Sequence, residues 1–168
     1  MNQEAYLIKK IPEFSPLFNG ADHIDIKEIE GHIPLRNFII NMLAFKPWWV
    51  KSLFAVRWFF VKALGISQNS SFDKPPVRPE ELSMTPGEKA LFFTVTMARE
   101  NIYWVAEATE THLSAYMGVF TEALPTKNKF YVFTIVKYHK WTGPVYFNTI
   151  RPFHHLVLRQ MMEEAINH

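Results

Sequence analysis

The chain has 168 residues and carries 18 Lys and Arg against 16 Asp and Glu, a formal charge of +2 with none of the basic clustering that a phosphate backbone requires, so nucleic acid is not an expected partner. It has no cysteine, which excludes disulfides, thiolate metal sites and cysteine nucleophiles together. With 48% hydrophobic and 20% charged residues it has a globular composition, and its length suits a single domain over residues 1–168 whose fifteen Phe and five Trp need a large core or cavity.

The first ten residues, "MNQEAYLIKK", lack the apolar stretch and cleavage site of a signal peptide, so a cytoplasmic location is expected. In "ADHIDIKEIEG", Ile24, Ile26 and Ile29 fall among charged positions as in a half-buried strand that Gly31 ends. "PLRNFIINMLAF" puts Leu35, Phe38, Ile39 and Met42 at helical spacing after Pro34. Pro47 opens a second helix with Trp49, Leu53, Val56, Phe60 and Leu64 on one stripe, closing at Gly65. That window, residues 47–66, is the most apolar of the chain, but Lys51, Arg57 and Lys62 would each cost about 2.5–3.5 kcal/mol at the centre of a spanning helix, so stable membrane insertion is not expected. Residues 67–89, rich in Ser, Pro and charge, read as one long, mobile loop.

From Ala90 the period changes to two. "ALFFTVTMARE", "IYWVAEAT", "HLSAYMGVFTEA" and "KFYVFTIVKYHK" are strands dense in β-branched and aromatic residues, joined by short polar connectors as in an antiparallel meander. "WTGPVYFNTIRPFHHLVLRQMMEEAINH" returns to helical spacing and closes the chain with one long helix. An apolar sheet face must be covered, and this helix is the available cover, with the two shorter helices closing one end. The expected fold is therefore α+β: a curved antiparallel sheet gripping a long C-terminal helix, with two short helices after the first strand.

That element order matches the helix-grip arrangement of the START and Bet v 1-like superfamily. More locally, "FSPLFNGADHIDIKE", "PWWVKSLFAVRWFFVKALGI", "ETHLSAYMGV", "FTIVKYHKWTGPVYF" and "IRPFHHLVLRQMMEEA" resemble the DUF2867 family, bacterial proteins of unknown function, over most of residues 12–165. The resemblance is strongest at "PWWV", at His112 and Leu113, and from Gly143 to His154. It implies a Bet v 1-like architecture and identifies no substrate. The Rossmann half to which related sequences are fused is missing here, since no GxGxxG follows a strand, and no cofactor is expected.

On the last helix, Arg151, His155, Arg159, Glu163 and Asn167 form a polar row expected to face water, while Ile150, His154, Val157, Met161 and Ala165 form the row expected to face the sheet. His154 is then either a neutral core histidine or an acid, base or ligand anchor facing a cavity. Its possible partners are Arg99, Glu107 and His112, polar groups within or beside strand runs. Glu107 interrupts "YWVAEAT", though the same alternation fits a solvent face of Tyr103, Val105, Glu107 and Thr109; His112 either faces the cavity or caps a turn. His112, His139, His154 and Glu107 are zinc-type ligands, but none shows i, i+4 spacing on one element, so no metal site is expected. Ser114 has no GxSxG elbow around it, which argues against a serine hydrolase.

The leading expectation is a small hydrophobic ligand held between sheet and helix by Trp104, Tyr116, Phe133, Tyr138, Phe153 and His154. The alternatives are an acid/base enzyme acting on an aromatic or polyketide-like compound through His154, His112, Glu107 and Arg99, and a membrane-surface or protein-interaction module using Trp48, Trp49, Trp58 and Phe59.

Overall fold

A computed structural model describes residues 2–63, 65, 78–91 and 93–168, with some side chains of the 48–63 helix left out. The chain begins with helix α1 (Gln3–Lys10), a short 3-10 turn (Pro12–Phe14) and helix α2 (Ser15–Phe18), none of them anticipated from periodicity. Strand β1 (His23–Gly31) follows, then helices α3 (Leu35–Ala44) and α4 (Trp48–Ala63). After a second 3-10 turn (Pro79–Glu81) come strands β2 (Lys89–Ala90), β3 (Phe93–Arg99), β4 (Tyr103–Thr109), β5 (Leu113–Ala123) and β6 (Asn128–Tyr138), and helix α5 (Thr142–Asn167) ends the chain.

The strands form one antiparallel sheet of order β1-β6-β5-β4-β3-β2, so the meander from β2 to β6 is closed by the first strand at its edge. Against its helix face lie α3 and α5. Trp104, Ala106, Met117, Val119, Phe130 and Val132 project from the sheet to meet Phe38, Ile39 and Met42 of α3 and Leu158, Met162 and Ala165 of α5. Phe38 stacks on Phe130 with ring centroids 4.1 Å apart. The helix-grip fold expected from the element order is the fold observed.

One feature of the fold departs from expectation. The opposite, outer face of the sheet is also apolar: Val105, Phe120, Phe133 and Ile135 are buried there under Leu7, Ile11, Phe14 and Phe18. "YVFTIV" in β6 is a nearly continuous apolar run, the pattern of a strand buried on both faces rather than one. A bulge between Val95 and Met97 helps both faces, because the extra residue turns Met97 to the outer cluster while Val95 stays in the inner one.

Of the segment expected as a loop, residues 78–88 hold one 3-10 turn and otherwise irregular chain before β2. Residues 67–77 lie outside the described residues, as do Leu64 and the side chains of Leu53, Val56 and Phe60 from the expected helical stripe. Within residues 78–89 Leu82 is buried and the rest are exposed or half-buried, and Arg36 of α3 holds the first turn, donating to the carbonyls of Pro79 and Leu82 at 3.1 and 2.7 Å while pairing with Glu100. No helix among the described residues is long and apolar enough to cross a membrane.

Candidate functional site

The core on the helix face is in two parts. One lies around α3 and the second half of α5, the other around Leu113, Val136, Tyr146 and Phe147 at the start of α5. Between them runs a polar seam. On α5 it consists of His154 and His155, on β1 of His23, Asp25 and Lys27, and on β6 of the buried Thr134 that pairs with Asp25.

Both histidines reach the seam, which corrects the expectation that His155 faces water. At 100° per residue, His154 and His155 stand about 40° and about 60° to either side of the direction of buried Leu158, so adjacent residues flank one buried stripe. The polar row assigned to solvent holds at Arg151, Arg159, Glu163 and Asn167, which are exposed, and fails only at His155. Their rings lie 6.2 Å apart, and His23 lies 6.0 Å from His155. The sequence hid this because β1 presents charged residues where an apolar partner for α5 would be sought.

Asp25 organises the seam. Its Oδ1 accepts from Lys27 Nζ at 2.9 Å, and its Oδ2 lies 3.1 Å from His155 Nδ1. Burial pushes its carboxyl pKa up, but the Lys27 ammonium and His155 more than offset this and hold it below the ordinary value. The same His155 Nδ1 is 3.3 Å from Lys27 Nζ, so it donates to Asp25 when protonated and accepts from Lys27 when not.

At His154 and His23 the pull of Asp25 is outweighed by burial and the neighbouring cations. Burial, reinforced by His155, lowers the His154 pKa to about 4, and burial with Arg151 and His155 lowers that of His23. Both rings are therefore neutral near pH 7. His154 Nδ1 and His23 Nε2 are buried with no hydrogen-bond partner among the described residues. Phe147 flanks both, with centroids 4.8 Å from His23 and 6.3 Å from His154.

The other expected site residues lie elsewhere. Arg99 is half-exposed at the end of β3 and pairs with Glu13 at 3.0 Å. Glu107 is on the outer face of β4, accepting from Thr109 at 2.9 Å, and lies opposite Tyr116, whose phenol pKa burial and Glu107 push up. His112 is buried before β5, edge-on to Tyr146 at 4.9 Å and 3.6 Å from Glu110. The acid/base arrangement sought among His154, His112, Glu107 and Arg99 is thus not assembled, since they occupy both faces and different ends of the sheet.

Of the residues expected to line a ligand cavity, Trp104 is fully buried on the helix face, with its indole N–H donating to the Ser83 carbonyl. Tyr138 and His154 border the seam's aromatic end. Phe133 and Tyr116 are on the outer face, away from α5, and Phe153 is 46% exposed on the solvent side of α5. These three corrections share a cause: strand parity and helix angle decide the face, and aromatic character does not. A concavity of about 350 Å³ opens at the other end of β1, lined by His32, Pro34, Asn101, Thr121 and Asn128 among others, and includes none of these residues. Among the described residues no three His, Asp or Glu side chains are grouped as a metal ion needs.

One further arrangement links residues that the sequence offered singly. His139 Nε2 is 2.8 Å from Ser114 Oγ, Ser114 Oγ is 2.9 Å from Thr109 Oγ1, and Thr109 donates to Glu107. Thr109 uses its one hydrogen on the carboxylate, so Ser114 donates to Thr109 and His139 Nε2–H donates to Ser114. His139 is then not poised as a base toward Ser114, which agrees with the missing nucleophile elbow.

A six-stranded antiparallel sheet gripping its own C-terminal helix, with a histidine seam between them, defines a helix-grip α+β protein. The chain belongs to the DUF2867 family, described as proteins of unknown function, whose profile matches residues 17–161. No curated protein matches it. It is similar to two solved structures: Ara h 8.0201, at 8% identity and TM-score 0.39 over 87% of this chain and 99% of the other, and an uncharacterised protein from Rhizobium leguminosarum, at 13% identity and TM-score 0.41 over 86% and 95%.

Proposed function

We propose that the protein binds a small, mostly apolar or aromatic molecule at the polar seam between the sheet and α5, with His154 and His23 orienting the molecule's polar group. The observation that carries this reading is the pair of buried ring nitrogens, His154 Nδ1 and His23 Nε2, without partners among the described residues and flanked by Phe147. A buried polar atom left unsatisfied costs about 1–3 kcal/mol, so each of the two calls for a partner such as a hydroxyl or carboxyl group. Neutral imidazoles serve both kinds of group, as donor or as acceptor by choice of tautomer. The apolar clusters on either side supply the surface for the rest of the molecule.

The test is a panel of fatty acids, naphthols, indole acids and hydroxyflavones, read by thermal shift and by nitrogen NMR of the imidazoles. A ligand at the seam raises Tm, moves the His154 and His23 ring resonances, and loses affinity by roughly tenfold in His154→Leu, as one hydrogen bond to a buried group implies. Ligands that raise Tm while leaving both rings unmoved would assign binding to another place and end this reading.

A further inference from the structure

The exposed face of α4 has the composition of a membrane-interface surface. Trp48, Lys51, Ser52, Ala55, Trp58, Phe59, Lys62 and Ala63 are all exposed. At 100° per residue they fall within one arc of about 140°. An ordinary solvent face of a helix is polar and mixed in charge. This one carries three large aromatics, exposed by 80% at Trp48, 57% at Trp58 and 65% at Phe59. The whole helix, Trp48–Ala63, contains Lys51, Arg57 and Lys62 and no acidic residue.

The arrangement within the arc is ordered. Trp48, Ala55 and Phe59 occupy its centre, and Lys51 and Lys62 lie together toward one edge with Trp58, over whose ring the Lys62 ammonium sits at 4.9 Å from the centroid. We infer that α4 is an interfacial helix that docks this protein on an anionic phospholipid surface, its aromatics entering the headgroup region and its lysines held at the phosphates. Aromatic rings with one apolar body favour that depth, and long lysine stems let their heads reach the phosphate plane. The charge selects this occupant: cations without a single carboxylate complement a negative bilayer, and each such lysine adds to the attraction. The same three interruptions that keep the segment from spanning a membrane suit it to lie on one. This docking does not depend on the ligand at the seam.

The experiment is co-sedimentation of the full chain with phosphatidylglycerol vesicles and with phosphatidylcholine vesicles, at low and high salt. The wild type is expected to bind phosphatidylglycerol more tightly and to lose that preference as salt screens it. Trp48→Ala with Phe59→Ala should weaken binding to both lipids by at least about tenfold. Lys51→Gln with Lys62→Gln should weaken phosphatidylglycerol binding roughly 10- to 30-fold and leave phosphatidylcholine binding nearly unchanged. All four side chains are on the exposed face, so Tm should stay at the wild-type value in both variants. No binding to phosphatidylglycerol, or binding that survives both double substitutions, overturns the inference. So does a wild-type dimer in light scattering that the Trp48→Ala, Phe59→Ala variant converts to monomer without vesicles, because the face then serves a second copy of the chain.

Discussion

Phe133 covers the backbone of Gly118, its cross-strand partner: a Cβ built on Gly118 would stand 2.0 Å from Phe133 Cζ and within 2.6 Å of two further ring atoms. The glycine is there for its missing side chain, since its strand needs no unusual φ at that point. The ring that fills the gap is fully buried and packs edge-on against Phe14 at 5.2 Å. A methyl group at position 118 must therefore displace the centre of the outer-face core. Gly118→Ala is expected to destabilise the fold by about 1–3 kcal/mol, the range for overpacked cores, seen as a lower urea midpoint with little change in slope.

The seam makes stability depend on pH. His154 has an unfolded-state value of 6.5 and a folded value of about 4, so between these limits the unfolded chain binds more protons. Stability is at its full value above pH 6.5, falls as pH drops toward about 4, and levels off below; the gap corresponds to roughly 3 kcal/mol. His23, also lowered, acts in the same direction. Burial is the main cause of both shifts; the ionisable groups that add to it are His155 and Arg151 on α5 and His23, Asp25 and Lys27 on β1, of which only Asp25 raises the values. The paired carboxylate of Asp25, held below its ordinary 3.8, contributes its own loss only at lower pH. Urea titrations between pH 4 and 6.5 should therefore show a slope that His154→Gln largely removes.

Legibility in the sequence followed the chemistry of each segment. Strands β3 to β6 and helices α3 and α5 were readable because their apolar residues repeat at fixed periods, and those periods report burial directly. The cover of the outer face was not, since α1 and α2 span only Gln3–Lys10 and Ser15–Phe18, too short for a period to show. The need for such a cover was nonetheless written in "YVFTIV". His154 was readable as an inward residue from its row. The seam was not, because the strand partner of α5 is the charged run His23, Asp25 and Lys27, which an alternating pattern assigns to water. Only register, with Asp25 opposite buried Thr134, turns that run toward the helix.

The chain of hydroxyls on the outer face has a fixed direction set by one acceptor. Because Glu107 can only accept when ionised, the neutral form of His139 is expected to carry its proton on Nε2, which long-range nitrogen–proton NMR correlations report. Glu107→Ala releases the Thr109 hydrogen and with it the constraint, so the Nε2–H population should fall. A Ser114→Ala variant should have the same effect on His139 by breaking the chain at its middle. An Nδ1–H tautomer in the wild type would show that the order runs the other way.

The amino-terminal segment should prove a structural part of the domain although the family match begins only at residue 17. Leu7 and Phe14 are fully buried against the outer face, and the segment is tied down at its polar rim. Tyr6 donates to Glu122 at 2.8 Å, Lys10 pairs with the same carboxylate at 2.7 Å, and Glu13 accepts from both Arg99 and Tyr103. Burying Leu7, Ile11 and Phe14 contributes about 1.5–3 kcal/mol each, a sum comparable to the whole stability of an ordinary domain. Deleting residues 1–14 should accordingly leave Val105, Phe120 and Phe133 open to solvent and give a chain that binds a hydrophobic dye or aggregates. The milder Phe14→Ala should stay folded with a loss of about 3–5 kcal/mol, and Glu13→Ala, at a half-exposed rim, should lose no more than about 1–2 kcal/mol. A truncated chain with wild-type Tm would mean that the outer face is covered by something other than this segment.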